Sequence, residues 1–458
     1  MVPATGKDVG LLMPPTFVRY RVLGLMCTLA MITYLDRALN GNAKKPIMEA
    51  VGYEEKDYYL LLVAFQLAYA LFEIPTGWLG DVYGPRKTLL RVVLFWSFFL
   101  GLMAFAGLPL FGSAISIGFW SLVVIQFLFG LGEAGAFPNI SKSLYNWFPG
   151  TERAFVQGTV WFSSRLMGGL TTFVWILLTV GLGLDWRVTV GLFAGLGVIW
   201  TIIFFITFRN KPSDDPKCNQ AERDLIAVGK KPAGDSHAAV PWKHLFSQPN
   251  LWYLCGMYFC MNFGWYFLMY FLPTYMKQAF DIQAGSTIGY QLTVALLTGA
   301  PLLLGGVACI LGGFLSDRYI KRTGNRTWGR KLFGMIGYGG CAIAYFAAIF
   351  LQANPYLLIT CLALVGFFND LTMGPAWATA QDIGKRYAAI ISGSMNMIGN
   401  IGAAISNFIT GMIISNATVD GKVSSTGYIT CLTMYGVAYS IGVVFWYLTD
   451  ANKPLAED

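Results

Sequence analysis

Charge is what this 458-residue chain has least of: Asp, Glu, Lys and Arg make up 12% of it, against 55% hydrophobic residues. Soluble domains carry about 25% charged residues. A water-soluble fold of this length is therefore excluded, and lipid must solvate much of the chain. Histidine is almost missing, with only His237 and His244 in a hydrophilic central stretch. That excludes a histidine metal centre or catalytic triad, and leaves carboxylates as the groups to carry any proton. The eight cysteines are scattered, mostly in apolar segments as at Cys27, Cys309 and Cys361. They form no metal-ligand or disulfide spacing. With no nucleophile–base pair or metal cluster in view, no enzyme activity and no cofactor are expected. No cleavable leader is expected either. The first apolar run contains Asp36-Arg37, has no small-residue cleavage site, and reads as a permanent first span.

What is present is a series of apolar runs of about 20 residues, the length that crosses ~30 Å of hydrocarbon. Twelve are expected. The first six are Val18 to Asn40, Tyr58 to Gly80, Thr88 to Gly107, Ile115 to Asn139, Phe155 to Gly183 and Val188 to Phe208. The second six are Leu251 to Tyr275, Ile288 to Leu315, Leu332 to Gln352, Tyr356 to Ala380, Ala388 to Ser415 and Tyr428 to Thr449. The expected fold is all-α and membrane-embedded: residues 1–208 form one six-helix half, 209–246 a polar cytoplasmic linker, and 247–458 the second half. The net charge of +8 comes from Lys and Arg placed between apolar runs rather than in a block. Nucleic acid is therefore not an expected partner; the bilayer is. Counted loop by loop, Lys and Arg gather on the side holding both termini, which places both in the cytoplasm.

The halves echo each other. Gly77-Trp-Leu-Gly-Asp81-Val-Tyr-Gly84-Pro-Arg86-Lys87 joins spans two and three. Gly313-Phe-Leu-Ser-Asp317-Arg318 stands at the matching place between spans eight and nine. This spacing points to a duplicated six-helix unit.

Several charges lie inside the apolar runs: Asp36, Arg37, Glu133 and Arg165. An ionised group at bilayer depth costs at least a few kcal/mol, so such residues face a polar cavity and mark a substrate or proton path. Arg37 and Arg165 are candidate substrate clamps, because a guanidinium forks onto a carboxylate. Adjacent helix positions do not face each other, so Asp36 and Arg37 should have different partners. Glu133, and after it Asp36, are the proton-carrier candidates, since shielding from water brings a carboxyl into the range where it loads and releases protons. Asn396 and Asn400 share a helix face at i, i+4 and are candidates for substrate hydroxyls or interhelical contact. Tyr34 and Tyr266 flank polar positions and are candidate cavity residues. Glu73, beside Pro75, reads as a gating or packing residue, and Asp370 more as structure than as ligand. Gly130-Leu-Gly-Glu-Ala-Gly135 matches a dinucleotide fingerprint but lies mid-membrane with no strand before it, where glycines serve helix packing.

Over nearly its whole length the sequence resembles the major facilitator superfamily, through the Gly77 to Arg86 segment. It departs from that signature at Val82 and Pro85, where basic residues are usual. The resemblance implies a latch in which Asp81, with Arg86 and the matching Asp317, holds the cytoplasmic face closed. A narrower resemblance is to the anion:cation symporter branch, which includes hexuronate, galactonate and phthalate carriers and vesicular glutamate transporters. It rests on Tyr34-Leu-Asp36-Arg37, Gly132-Glu133-Ala-Gly-Ala-Phe-Pro138 with Trp147-Phe148-Pro149, Leu272-Pro273-Thr274-Tyr275 and Asn396-Met-Ile-Gly399-Asn400. In that branch an Arg usually stands seven residues before the span-four Glu; here the position is Gln126. Arg165 is the expected replacement. Lys44-Lys45, near the outer end of span one, is a second departure; these lysines either attract anions or sit among headgroups.

The expectation is an alternating-access carrier, a monomer in the inner membrane, that moves a small organic anion with protons. Sugar acids such as hexuronates or aldonates come first. An organophosphate:phosphate antiporter, with Arg37 and Arg165 as its clamps, is the rival within transport. A non-transporting membrane sensor is the rival outside it.

Overall fold

The computed structural model describes residues 14–53, 55–108, 117–228, 240–270, 272, 288–419 and 422–455. Twelve spans are formed. Spans one to three are Val18–Asn42, Glu55–Tyr83 and Pro85–Met103. Span four is broken into Phe119–Glu133 and Ala136–Trp147. Span five, Arg153–Ile176, continues into a wider π-type turn at Leu177–Gly181, and span six is Trp186–Thr207. Spans seven to nine are Pro249–Tyr270, Ile288–Thr323 and Arg326–Leu351. Span ten is again broken, into Pro355–Leu371 and Met373–Gly384; spans eleven and twelve are Ala388–Asn416 and Ser425–Leu448. A two-residue antiparallel pair, Thr418–Val419 with Lys422–Val423, joins the last two spans. Among the described residues nine helical stretches are long and apolar enough to cross a bilayer, one of them, Pro355–Asn416, covering spans ten and eleven.

Local chemistry sets the ends. Asp185, Asn325, Asn354 and Ser424 each accept a backbone N–H from the second or third residue of the helix that follows, satisfying donors that the helix itself leaves open. Large apolar side chains stand outward along the spans, among them Leu67 and Leu71, Phe98, Ile202 and Ile206, Phe350 and Phe408. Such a belt is stable against hydrocarbon and not against water. The interior holds Trp96, Trp147, Trp377 and Trp446, all under 2% exposed.

Spans four and ten run further than their hydropathy predicts. Ile140 to Lys142 and Gln381-Asp382 fall beyond the expected span ends, yet they are helical and buried. Their polar groups turn to protein instead of water, in part across the halves: Ser141 meets Ser392, Lys142 the Arg386 carbonyl, Gln381 the Ser141 carbonyl and Asp382 Arg153. The linker also departs from a simple tether. Its helix Gln220–Ala227, capped by Asn219, presents a fully buried Glu222 that accepts from the Val18 and Arg19 N–H groups at 3.2 and 3.1 Å and pairs with the Arg19 side chain at 3.2 Å. The linker thus caps span one with a carboxylate at the positive end of the helix.

The halves meet along spans five and eight and along spans two and eleven. Span five approaches span eight so closely at Gly158 that a Cβ there would lie 2.1 Å from the Cys309 carbonyl oxygen. Gly158→Ala is expected to destabilise the protein by about 1–3 kcal/mol through overpacking. A lowered thermal midpoint in detergent, with no change for Gly195→Ala where nothing lies within 4 Å, would record this.

Candidate functional site

The two helix breaks place acids at the centre of the bundle. Glu133 ends the first piece of span four; Asp370 stands one residue from the end of the first piece of span ten. Each meets an arginine from another helix. Arg37 of span one donates from Nε to Glu133 Oε2 at 2.9 Å, with Glu133 fully buried and the Arg37 side chain 26% exposed. Arg165 of span five grips Asp370 bidentately, Nε and Nη2 lying 2.8 and 3.0 Å from its two oxygens. The second pair crosses between the halves. Asp36, the neighbour of Arg37, turns to span three and accepts from Trp96 Nε1 at 3.2 Å. Its other oxygen, Glu133 Oε1 and Arg37 Nη2 are buried without a hydrogen-bond partner.

Tyr34 links the two arginines. Its hydroxyl lies 3.3 Å from Arg165 Nη1, and the Arg37 guanidinium stands 5.8 Å from its ring centre. Arg37 lies closer still, 4.3 Å, over the ring of Tyr69. Aromatic faces stabilise guanidinium groups where water is scarce. Phe137 and Trp161 stack at 4.6 Å, Trp377 packs 5.5 Å from Trp161, and the Trp377 indole donates to Tyr258 at 3.0 Å. The result is a polar core of two cations and several acids inside aromatic walls.

Of the residues singled out in the sequence, Tyr34, Asp36, Arg37, Glu133 and Arg165 come together here. Asn396 and Asn400 instead bond Glu73 of span two. The Tyr266 side chain and Pro273-Thr274-Tyr275 lie outside the described residues. Gln126 is buried, with its amide toward Met103 Sδ, while Arg165 binds Asp370 across the halves. Lys45 makes an exposed i, i+4 pair with Glu49 at 3.9 Å, and Lys44 lies over the Tyr58 ring at 5.1 Å. Sequence reasoning passed over Tyr69 and Trp161. Each sits one helical turn before an intramembrane charge, Glu73 and Arg165, so the i, i+4 spacing was the available signal.

A second polar cluster closes the face on which the linker lies. Asp81, in the last turn of span two, accepts from the Ile390 and Ala389 N–H groups at 2.8 and 3.3 Å and pairs with Lys142 at 3.0 Å. It thereby caps span eleven of the other half. Asp317, at the matching place in the second half, accepts from Phe155 N–H at 2.7 Å and caps span five. Arg330 ties the cluster together, bonding Asp317 at 2.7 Å, Asp382 at 3.1 Å and the Gly150 carbonyl at 3.1 Å, while Arg153 meets Asp382 at 2.6 Å. Arg86 stands apart from this cluster, contrary to expectation. Pro85 opens span three, so Arg86 falls in its first turn and turns to span six, bonding the Phe205 carbonyl at 2.5 Å and Asn210 at 2.9 Å.

Two six-helix halves, each with a broken fourth helix and each capping the other through an acid near the linker-face end of its second helix, form a recognisable plan. Residues 26–407 match the family model described as Major Facilitator Superfamily. The chain belongs to that superfamily. A probable sulfoacetate transporter of Cupriavidus necator is 32% identical over 86% of this chain and 87% of its own length. The hexuronate transporter of Bacillus subtilis is 27% identical over 84% and 85%, and a probable galactarate/D-glucarate transporter of Escherichia coli K12 is 27% identical over 87% and 88%. Among solved structures, the superfamily's proton:xylose symporter XylE, bound to 6-bromo-6-deoxy-D-glucose, aligns with a TM-score of 0.70 at 14% identity, covering 95% of this chain and 97% of that one. This likeness is one of fold. The protein is thus a multi-pass membrane protein with the superfamily's twelve-span architecture.

Proposed function

We propose that this protein carries a small organic anion together with protons, by alternating access, as a monomer in the plasma membrane with the linker face and both termini in the cytoplasm. The observation that carries the reading is the buried grouping of Arg37 with two acids, Glu133 bonded to it and Asp36 beside it. Two carboxylates against one guanidinium leave an excess negative charge where charge is expensive, and one proton removes it. When an anionic substrate takes the Arg37 fork, Glu133 loses its partner and a second proton becomes favourable. Anion and proton then bind with mutual reinforcement, which is the linkage that symport needs. Arg165 and Tyr34 border the same space, and the partly open Arg37 side chain suits a site reached from the face opposite the linker.

The substrate is an anion with a carboxylate or sulfonate head. Sugar acids such as hexuronates and aldonates come first, in keeping with relatives named for hexuronate, galactarate/D-glucarate and sulfoacetate. The bodies that rock are residues 1–208 and 247–458, with 209–246 between them. The test is uptake of labelled glucuronate, galactonate, sulfoacetate and glycerol phosphate into proteoliposomes, with and without an inward proton gradient. Gradient-driven uptake of one of the first three is expected. Glu133→Gln should lose the gradient response while retaining exchange of bound for free anion. Uptake of glycerol phosphate that ignores the gradient and needs internal phosphate would replace the symport reading with phosphate exchange.

A further inference from the structure

Glu73 is a buried acid that the site described above leaves unused. It lies in span two, 0% exposed, and its partners are the amides of Asn396 and Asn400 in span eleven of the other half, the second at 3.5 Å. Asn396 also reaches the Tyr69 hydroxyl at 3.3 Å, and Gln66 reaches Asn400 at 3.3 Å. Most of the other buried acids are held by a cation: Glu133 by Arg37, Asp370 by Arg165, Asp317 by Arg330, Asp382 by Arg153 and Arg330, Glu222 by Arg19. Among the described residues Glu73 and Asp36 are the fully buried acids with no ion pair. The charged and titratable groups that face Glu73 are Arg37 from span one, Tyr69 on its own helix and Tyr258 from span seven. Of these only Arg37 is a cation, and Glu133 already holds it.

The partner chemistry matters. A guanidinium locks a carboxylate in its ionised form. Here both amide nitrogens donate to the two Glu73 oxygens; an amide also carries an acceptor, so turning one of them over would present its oxygen to a carboxyl proton, which a guanidinium cannot do. An ionised carboxyl whose partners are the uncharged amides and the Tyr69 hydroxyl is costly in a dry interior, whereas the neutral acid is not. The contact is also conditional on the closed arrangement. Span eleven approaches span two so tightly that a Cβ on Gly393 would lie 2.7 Å from the Glu73 carbonyl oxygen. Asp81, the latch that caps span eleven, stands eight residues further along the same helix, about 12 Å nearer the linker face.

We propose that Glu73 is a proton-binding site of this carrier, separate from Asp36 and Glu133: it holds its proton while spans two and eleven are together, and releases it toward the linker face when the Asp81 latch opens and Asn396 and Asn400 withdraw with the other half. Proton transfer here is dissociation of the Glu73 carboxyl to water, with no other bond formed or broken. As a statement about transport this deepens the symport reading and rests on it; as a statement about titration it does not.

The experiment therefore has two arms. Infrared difference spectra of the purified protein between acidic and alkaline buffer need no substrate. They should show a protonated-carboxyl C=O band that diminishes by one residue in Glu73→Gln and survives, shifted, in Glu73→Asp. In the second arm the reversal potential of labelled glucuronate, galactonate or sulfoacetate flux gives the proton-to-anion ratio. Glu73→Gln should lower that ratio by one while leaving anion counterflow, which reports a folded and binding-competent protein, within about twofold of wild type. An infrared band identical in wild type and Glu73→Gln, or an unchanged ratio, would overturn the proposal. Wild-type protein with no gradient-driven uptake would sink the symport reading instead, and the infrared arm would still decide whether Glu73 binds a proton.

Discussion

Arg37→Gln is expected to lower anion affinity by roughly 30- to 150-fold, the loss of charge-assisted hydrogen bonds worth about 2–3 kcal/mol. Two different roles for Arg37 would both harm the single variant. In one, the guanidinium binds the substrate; in the other, it only neutralises Glu133, 2.9 Å away. The double variant Arg37→Gln, Glu133→Gln separates them. Removing both members of a buried pair relieves the stranded charge left by removing one. If Arg37 were only structural, the double variant would regain both thermal stability and anion binding. As a clamp, the double variant regains stability alone. Titration calorimetry and a melting curve on the same preparations decide it. Arg37→Lys should fall between, because an ammonium keeps the charge but not the fork.

Arg330→Gln should shift the protein toward an open linker face. Arg330 is 1% exposed and serves Asp317, Asp382 and the Gly150 carbonyl at once. Breaking a buried ion pair from one side costs about 3–5 kcal/mol. Both ion pairs lie within the second half and move with it, so the part confined to the closed arrangement is the charged hydrogen bond to the Gly150 carbonyl of the first half; at about 1.5–3 kcal/mol it shifts the balance between closed and open linker faces by roughly one to two orders of magnitude. Spin labels at Tyr83 and Arg322, in a background without the native cysteines, would report the shift as a longer distance across the linker face. A distribution matching the wild type would show that Arg330 stabilises both arrangements equally and is no part of the latch.

The fold was largely legible in the sequence because a bilayer-spanning helix advertises itself by length and apolarity alone. Legibility failed where polar residues are buried against the opposite half. Ser141, Lys142, Gln381 and Asp382 look like loop because hydropathy registers their polarity and not their partners. The same limit applies to the central site. Arg37, Glu133 and Arg165 stood out, since a charge at membrane depth is conspicuous wherever it pairs. Their pairing did not: Arg165 and Asp370 are 205 residues apart, and nothing local in either segment marks the other. Asn396 and Asn400 were correctly placed on one helix face. Their engagement with Glu73 depends on how the halves dock, which only the three-dimensional arrangement shows.

The reciprocal capping at the linker face also bears on leakage. Under the proposed symport, a carrier that opened inward with protons aboard but no anion would short-circuit the driving gradient. Asp81 and Asp317 each close a helix of the opposite half, so neither half swings free until both caps are given up together. The energy of these two caps is a toll on empty turnover. A variant with one cap weakened should therefore acidify the vesicle interior in the absence of any anion, wasting the gradient even where its loaded transport rate looks normal.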